Sequence, residues 1–370
     1  MRVLHVEAGT HLYGGARQVL YLLAGLRQRG VENLLACPRG SEIARRASGE
    51  AEVIALPMRG DIDLALVPRL RRVIGDRRPD LVHLHSRRGA DVLGGLAARS
   101  VGVPSILSRR VDNPEPRLWV AMKYRLFAHV ITISEGIRAV LLREGLPADK
   151  VTCVHSAVDE TVWQHGCDRS VFLREFGLQA DTPLVGMVAQ FIPRKGHRHL
   201  LASLPEVLKR FPDLQVLFFG QGPLLAEVRA AVEAQDLAAR VLFAGFRHDL
   251  ERWIGCLDLL LHPAEREGLG VSLLQAAAAG VPIVASRAGG IPEIVEHRRN
   301  GLLITPGDSA ALTDAMIELL GDAELRAAMG RRGREMVGER FALPVMVDGN
   351  LAVYRRVLGL GGVQRSAVAQ

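Results

Sequence analysis

Three short stretches carry residue types suited to a polyanionic ligand rich in hydroxyls. The first is "HPAEREGLGVSLLQAAAAGVPIVAS", residues 262–286. Glu267 there can accept hydrogen bonds from sugar hydroxyls, and Gly268 and Gly270 flank the start of an alanine-rich helix. The first amides of a helix have no partner inside it, and the helix dipole favours negative charge at that end. The backbone of Leu269, Gly270 and Val271, with the Ser272 hydroxyl, is therefore expected to hold phosphate oxygens. Gln275 falls about one turn inside the helix, within reach of a ribose.

The second stretch, "AQFIPRKGHRH" at 189–199, sets Arg194 and Lys195 after an apolar run, two cations suited to a diphosphate. The third, "AGTHLYGGARQ" at 8–18, places Gly14 and Gly15 where a helix opens, so that backbone can approach a ligand closely. Its spacing is not G-x-G-x-x-G, which removes the main support for a nicotinamide cofactor.

The elements that must position these loops are legible as alternation. Apolar runs "VLHVEA", "NLLAC", "EVIALP", "LVHLHS", "PSILS", "HVITIS" and "KVTCVHS" are separated by helical patterns at 16–29, 64–75, 89–101 and 134–144. After a pause at 159–181 the rhythm restarts with "PLVGMVA", "LQVLFFG", "RVLFAG", "DLLLHP", "PIVAS" and "GLLIT". Such alternation implies parallel strands with crossover helices, hence an α/β chain of two sheets in series. In open parallel sheets, ligands bind beyond the carboxyl ends of the strands, where all three chemical stretches fall. A last amphipathic segment, "FALPVMVDGNLAVYRRVLGL", follows the second sheet, and the final residues are expected to fray.

A net charge of +7 favours an anionic partner, and no nucleic-acid module accompanies it. Four dispersed cysteines, without a CxxC pair, predict neither a disulfide framework nor a zinc knuckle, and a cytoplasmic home. The start has no apolar signal core, so export is not expected. In "RLRRVIGDRRPD" and "SRRVDNPEPRLWVAMKYRLF" arginines interleave with apolar residues, a pattern suited to an anionic membrane surface. "DID" at 61–63 is a common tripeptide and is not assigned a metal. His83 and His85 alternate onto one side of a strand as core histidines do, although His85 falls near the strand end, where it can face a cleft.

The ordered set "YGGARQVLYLLAGLRQRG", "PRKG", "FGQGPLLAEV", "VLFAGFRHDLERWIGCLDLLLHPA" and "EGLGVSLLQAAAAGVPIVASRAGGIPEIVEHRRNGLLITPGD" resembles glycosyltransferase family 4 over nearly the whole chain. Among relatives, bacterial lipopolysaccharide-core and capsule-type enzymes look nearest. The resemblance implies a GT-B architecture: two Rossmann-like parallel-sheet domains facing a central cleft, with the C-terminal helix crossing back. Residues 1–165, with 345–370, would be the acceptor-side domain, and 175–344 the nucleotide-sugar domain.

Carried over by position, Glu267 is the first acid of the family's E-x7-E motif, and Gln275 replaces the second. Lys195 matches the phosphate-binding lysine. Gln190 stands at or near the place of the usual arginine, for which Arg194 is the expected substitute. Phe246 lies in the Gly245–His248 loop on the base side. Where many relatives carry a histidine after the strand equivalent to "PSILS", this chain has Arg109 and Arg110; with His85 they are the acceptor-side candidates. The implied activity is retaining transfer of a sugar from a nucleotide-diphosphate sugar to a hydroxyl of an envelope glycan or lipid-linked acceptor. Neither metal nor cofactor is expected beyond the donor itself. The replacement at Gln275 supports an alternative, a catalytically weakened homologue acting as a glycan-binding or scaffold subunit.

Overall fold

The computed structural model describes residues 1–85, 89–164 and 166–360. The chain divides into two compact units, Met1–Ser156 joined by the C-terminal segment that starts at Leu343, and Ala157–Ala342. In the first unit β1 (Arg2–Val6), β2 (Glu32–Pro38), β3 (Glu52–Leu56), β4 (Leu81–Leu84), β5 (Ser105–Arg109), β6 (His129–Thr132) and β7 (Val151–Cys153) form one parallel sheet, ordered β3-β2-β1-β4-β5-β6-β7. In the second, β8 (Leu184–Val188), β9 (Gln215–Phe219), β10 (Val241–Gly245), β11 (Leu259–His262), β12 (Ile283–Ser286) and β13 (Gly301–Ile304) form another, ordered β10-β9-β8-β11-β12-β13. Each apolar run quoted above is a strand. Helices cover both faces of such sheets, so β4, β6, β11 and β12 are buried along their whole length and cannot alternate with polar residues.

The expected helices form at Gly14–Gln28, Leu66–Arg77, Ala90–Ser100 and Glu135–Arg143. The first buries Val19, Leu22, Leu23 and Leu26, a stripe at helical spacing. The last is capped by Ser134, whose hydroxyl accepts the Ile137 N–H at 3.1 Å. In each sheet the strand order reverses once, between β1 and β4 and between β8 and β11. At such a switch point the two following loops part to opposite faces and leave a crevice beyond the strand ends.

The C-terminal helix Leu343–Val357 returns to the first unit. Gly25 of the helix Gly14–Gln28 makes room for it: a Cβ there would lie 2.4 Å from Val347 Cγ2. Arg29 Nε donates to Asp348 Oδ1 at 2.5 Å, and the buried Tyr354 hydroxyl meets His83 Nδ1 at 2.5 Å. Residues 361–370 of the tail lie outside the described residues. Ala157 to Gln164 pack in the second unit, where the Val158 N–H donates to the Phe341 carbonyl at 3.0 Å and Trp163 is buried.

One expectation is overturned. Cys167 and Cys256 form a disulfide, with Cα atoms 5.1 Å apart, that ties the start of the helix Arg169–Phe176 to the turn before β11. The dispersed spacing concealed it because the partners lie 89 residues apart and meet only once β11 is in the sheet. Cysteine spacing therefore gives no ground for a reducing compartment. Cys37 and Cys153 take no part in this disulfide. Cys167→Ser is expected to lower oxidised-state stability by about 2–4 kcal/mol and reduced-state stability far less. Urea melts with and without dithiothreitol measure the difference. No described helix is long and apolar enough to cross a membrane.

Candidate active site

In the second unit the loops after β8 and β11 meet at the switch point. The β8 loop makes a short turn, Pro193–Lys195, ended by Gly196 at φ +80°. A Cβ on Gly196 would sit 1.9 Å from the Pro263 carbonyl oxygen, so only glycine lets this loop close on the β11 loop. The Glu265 N–H donates to the Arg194 carbonyl at 2.8 Å, and the Glu265 side chain meets His199 Nε2 at 3.0 Å and the Arg198 guanidinium. Glu265 is thus a brace between loops. Behind them, Gly289 (φ +53°) lies so close that a Cβ would be 1.8 Å from the Glu267 carbonyl oxygen, and the Gly290 N–H donates to that oxygen at 3.2 Å.

The braced loops bring Lys195 and Glu267 together. Both are buried, and the Lys195 ammonium donates to Glu267 Oε2. The same oxygen is 2.8 Å from His262 Nε2, and Oε1 accepts the Gly268 N–H at 3.1 Å. Burial alone would raise the carboxyl pKa, but the His262 hydrogen bond and the Lys195 charge hold it well below the usual carboxylate range. Burial pushes His262 down, aided by Lys195 and Arg194 and opposed by its bond to Glu267. A neutral ring facing a carboxylate must carry its proton on Nε2, which leaves Nδ1 as a bare buried acceptor.

The other donor-side candidates lie on the segments that follow β8, β10 and β11. Gly268, Leu269 and Gly270 are buried, and Gly270 (φ +99°) starts the helix Val271–Ala279, with Val271, Ser272 and Gln275 partly exposed. Gln190 is exposed at the end of β8, and Arg194 Nη1 reaches the Arg266 carbonyl at 3.4 Å. Phe246 is exposed and edge-on to His248 at 4.9 Å.

The first unit has its own pocket beyond the β1 and β4 ends, about 390 Å³ in volume and lined by Glu7, Thr10, Tyr13, His85, Ser108 and Arg110. Gly15 borders it, 3.6 Å from the Arg110 Cδ if given a Cβ, while Gly14 is exposed at the start of the helix. The two adjacent arginines part company here. Arg110 faces the pocket; burial lowers its pKa and Glu7 opposes that. Arg109 turns inward, to Glu115 Oε2 at 2.6 Å, the Tyr124 hydroxyl at 3.0 Å and the Val111 carbonyl at 2.9 Å. With its guanidinium spent on the 111–124 segment, Arg109 is a structural cation, which corrects its reading as an acceptor residue.

His85 Nε2 pairs with His5 Nδ1 at 2.9 Å, and His83 bridges the Tyr354 and Ser108 hydroxyls. His5, His83 and His85 lie close enough to share an ion, yet both His83 nitrogens are engaged and the Arg110 charge lies nearby. Asp63 of the D-x-D tripeptide is gripped by Arg69 at 2.9 and 3.1 Å, as a turn brace. His5, Glu7, Ser108 and His262 were not singled out by sequence. For His262 a signal existed, a histidine ending an apolar run five residues before the acid.

Comparison with known proteins agrees with this architecture. Residues 168–336 match the model for "Glycosyl transferases group 1" and residues 13–162 that for "Glycosyltransferase Family 4". The chain is 35% identical to a GDP-mannose-dependent alpha-(1-6)-phosphatidylinositol monomannoside mannosyltransferase of Mycolicibacterium smegmatis, over 72% of this chain and 74% of that one. It is 27% identical to the N-acetyl-alpha-D-glucosaminyl L-malate synthase of Bacillus anthracis, over 80% of each. The fold matches Anabaena Alr3699/HepE, solved in complex with UDP, with a TM-score of 0.85 at 20% identity, covering 96% of this chain and 100% of that one. Two parallel sheets with these switch-point loops, and matches along both units, show that the chain belongs to the family 4 glycosyltransferases of GT-B fold.

Proposed function

We propose that this chain moves a sugar from a nucleotide-diphosphate sugar to a hydroxyl of an envelope glycan or lipid-linked acceptor, with retention of anomeric configuration. The observation that carries the reading is the buried Lys195–Glu267 pair beside the start of the helix Val271–Ala279. Lys195, Arg194 and the helix amides stabilise the departing diphosphate, with no metal required for that charge. The bond from the anomeric carbon to the phosphate oxygen breaks, the acceptor oxygen bonds to that carbon on the same face, and the acceptor proton passes to the diphosphate. Glu267 and Gln275 hold donor hydroxyls, and Gln190 and Phe246 flank the nucleotide. Arg110 and His85 line the acceptor side.

The Mycolicibacterium relative's name includes phosphatidylinositol monomannoside, a glycolipid, which supports a lipid-linked acceptor here. The helix Arg117–Lys123 exposes Leu118, Trp119 and Met122 beside Arg117 and Arg125, a surface suited to the cytoplasmic face of an anionic membrane. Leu118→Glu with Met122→Glu is expected to release the protein from phosphatidylglycerol vesicles in a sedimentation assay and to leave turnover on a soluble acceptor unchanged.

A panel of UDP-, GDP- and ADP-sugars with lipid and glycan acceptors tests the main reading through transfer product and its anomeric configuration. Gln275 in the place of an acid favours one second reading, a glycan-binding or scaffold subunit. Saturable nucleotide binding without turnover across the panel would establish it.

A further inference from the structure

The Glu267 carboxylate has more partners than sugar binding requires. Oε2 takes both the Lys195 ammonium and the His262 Nε2–H, while Oε1 takes the Gly268 amide. Lys195 is also the cation assigned above to the diphosphate, and an ammonium shared with a buried carboxylate binds a phosphate less strongly than one with no such partner. We infer that His262 is a positioning residue that keeps Glu267 oriented and paired when Lys195 turns from the carboxylate to the diphosphate of the donor. The inference rests on that reading of Lys195.

The two partners differ in the way this exchange needs. His262 ends β11, is 1% exposed, and presents a rigid ring with a single donor. Lys195 arrives from the β8 loop on a flexible stem with three rotatable donors. Among the described residues, the charged and titratable groups that act on His262 besides Glu267 are Lys195, Arg194 and His197, none of them an acid, so its N–H has one carboxylate to serve. Without His262, Lys195 would be the one side-chain donor left to Glu267 among the described residues, and carboxylate and diphosphate would compete for one ammonium. A buried carboxylate that loses a donor holds the remaining one more tightly.

The test compares wild type, His262→Leu, His262→Gln, Lys195→Ala and the double variant His262→Leu/Glu267→Gln. Calorimetry reads the affinity for UDP, GDP and ADP, steady-state assays read kcat and donor KM, and melts read Tm. His262→Leu is expected to weaken the affinity for the preferred diphosphate about tenfold and to lower kcat as well. His262→Gln, whose amide can donate, should recover most of both. Neutralising the competitor in the double variant should restore diphosphate affinity but not transfer. Wild-type affinity and kcat in His262→Leu would overturn the inference, as would equal losses in the leucine and glutamine variants that track Tm. If Lys195→Ala leaves diphosphate affinity unchanged, the reading of Lys195 fails and takes the inference with it. If Lys195→Ala weakens affinity and His262→Leu does not, the inference alone fails.

Discussion

Lys195→Ala is expected to lower kcat by about 10²–10³-fold and to destabilise the second unit in the same stroke. The first effect is the loss of a fixed cation where the departing diphosphate gathers charge, a term of that size in comparable electrostatic sites. The second follows from burial. Removing the ammonium strands the Glu267 carboxylate, and breaking a buried pair typically costs about 3–5 kcal/mol. His262 and the Gly268 amide still donate to it, so the lower end of that range is expected. Adding Glu267→Gln should return part of the lost stability, because no charge is then left unpaired, and none of the transfer. Urea midpoints and steady-state rates on the single and double variants separate the two effects. A Lys195→Ala protein with wild-type turnover would remove the lysine from the reaction.

Acidification should unfold the first unit well above the pH at which carboxylates titrate. Burial drives His5 down to about 3 and holds His83 and His85 far below their ordinary value of 6.5, with mutual repulsion and Arg110 adding to the push. His129, in the same unit, is lowered to about 4, chiefly by burial. Below pH 6.5 the unfolded chain takes up protons that the folded rings refuse, so stability falls as pH falls toward the folded values. Each such ring contributes about 1.4 kcal/mol per pH unit in that window. Three rings at pH 5 amount to roughly 6 kcal/mol, a large part of the 5–15 kcal/mol that holds a typical domain folded. Urea midpoints at pH 7.5, 6 and 5 should drop steeply, and His85→Leu should flatten the slope by about one proton. A flat profile would show that the cluster is charged in the folded state.

What was readable in the sequence depended on local pattern. The strands were legible because sheets covered on both faces demand unbroken apolar runs, and the candidate site was legible because its loops follow those runs. Long-range geometry was not. His5 and His83 are register neighbours on β1 and β4 although 78 positions separate them, because the strand order reverses between those strands. Nothing in "SRR" tells which arginine faces the pocket. Strand pleating decides that, sending Arg109 to Glu115 and leaving Arg110, just past the end of β5, on the open side. Cys167 and Cys256 met for a similar reason, through sheet order rather than spacing.

The return of the C-terminal helix bears on how the protein is made. The ribosome releases the first unit's seven strands long before it has synthesised Val347, Asp348 and Tyr354, the residues that close over Gly25, Arg29 and His83. Until then the nascent unit carries an apolar helix flank and a histidine cluster without their cover. Its completion must wait for the other half of the polypeptide to emerge, so a fragment ending at Ser156 should need a chaperone to stay in solution.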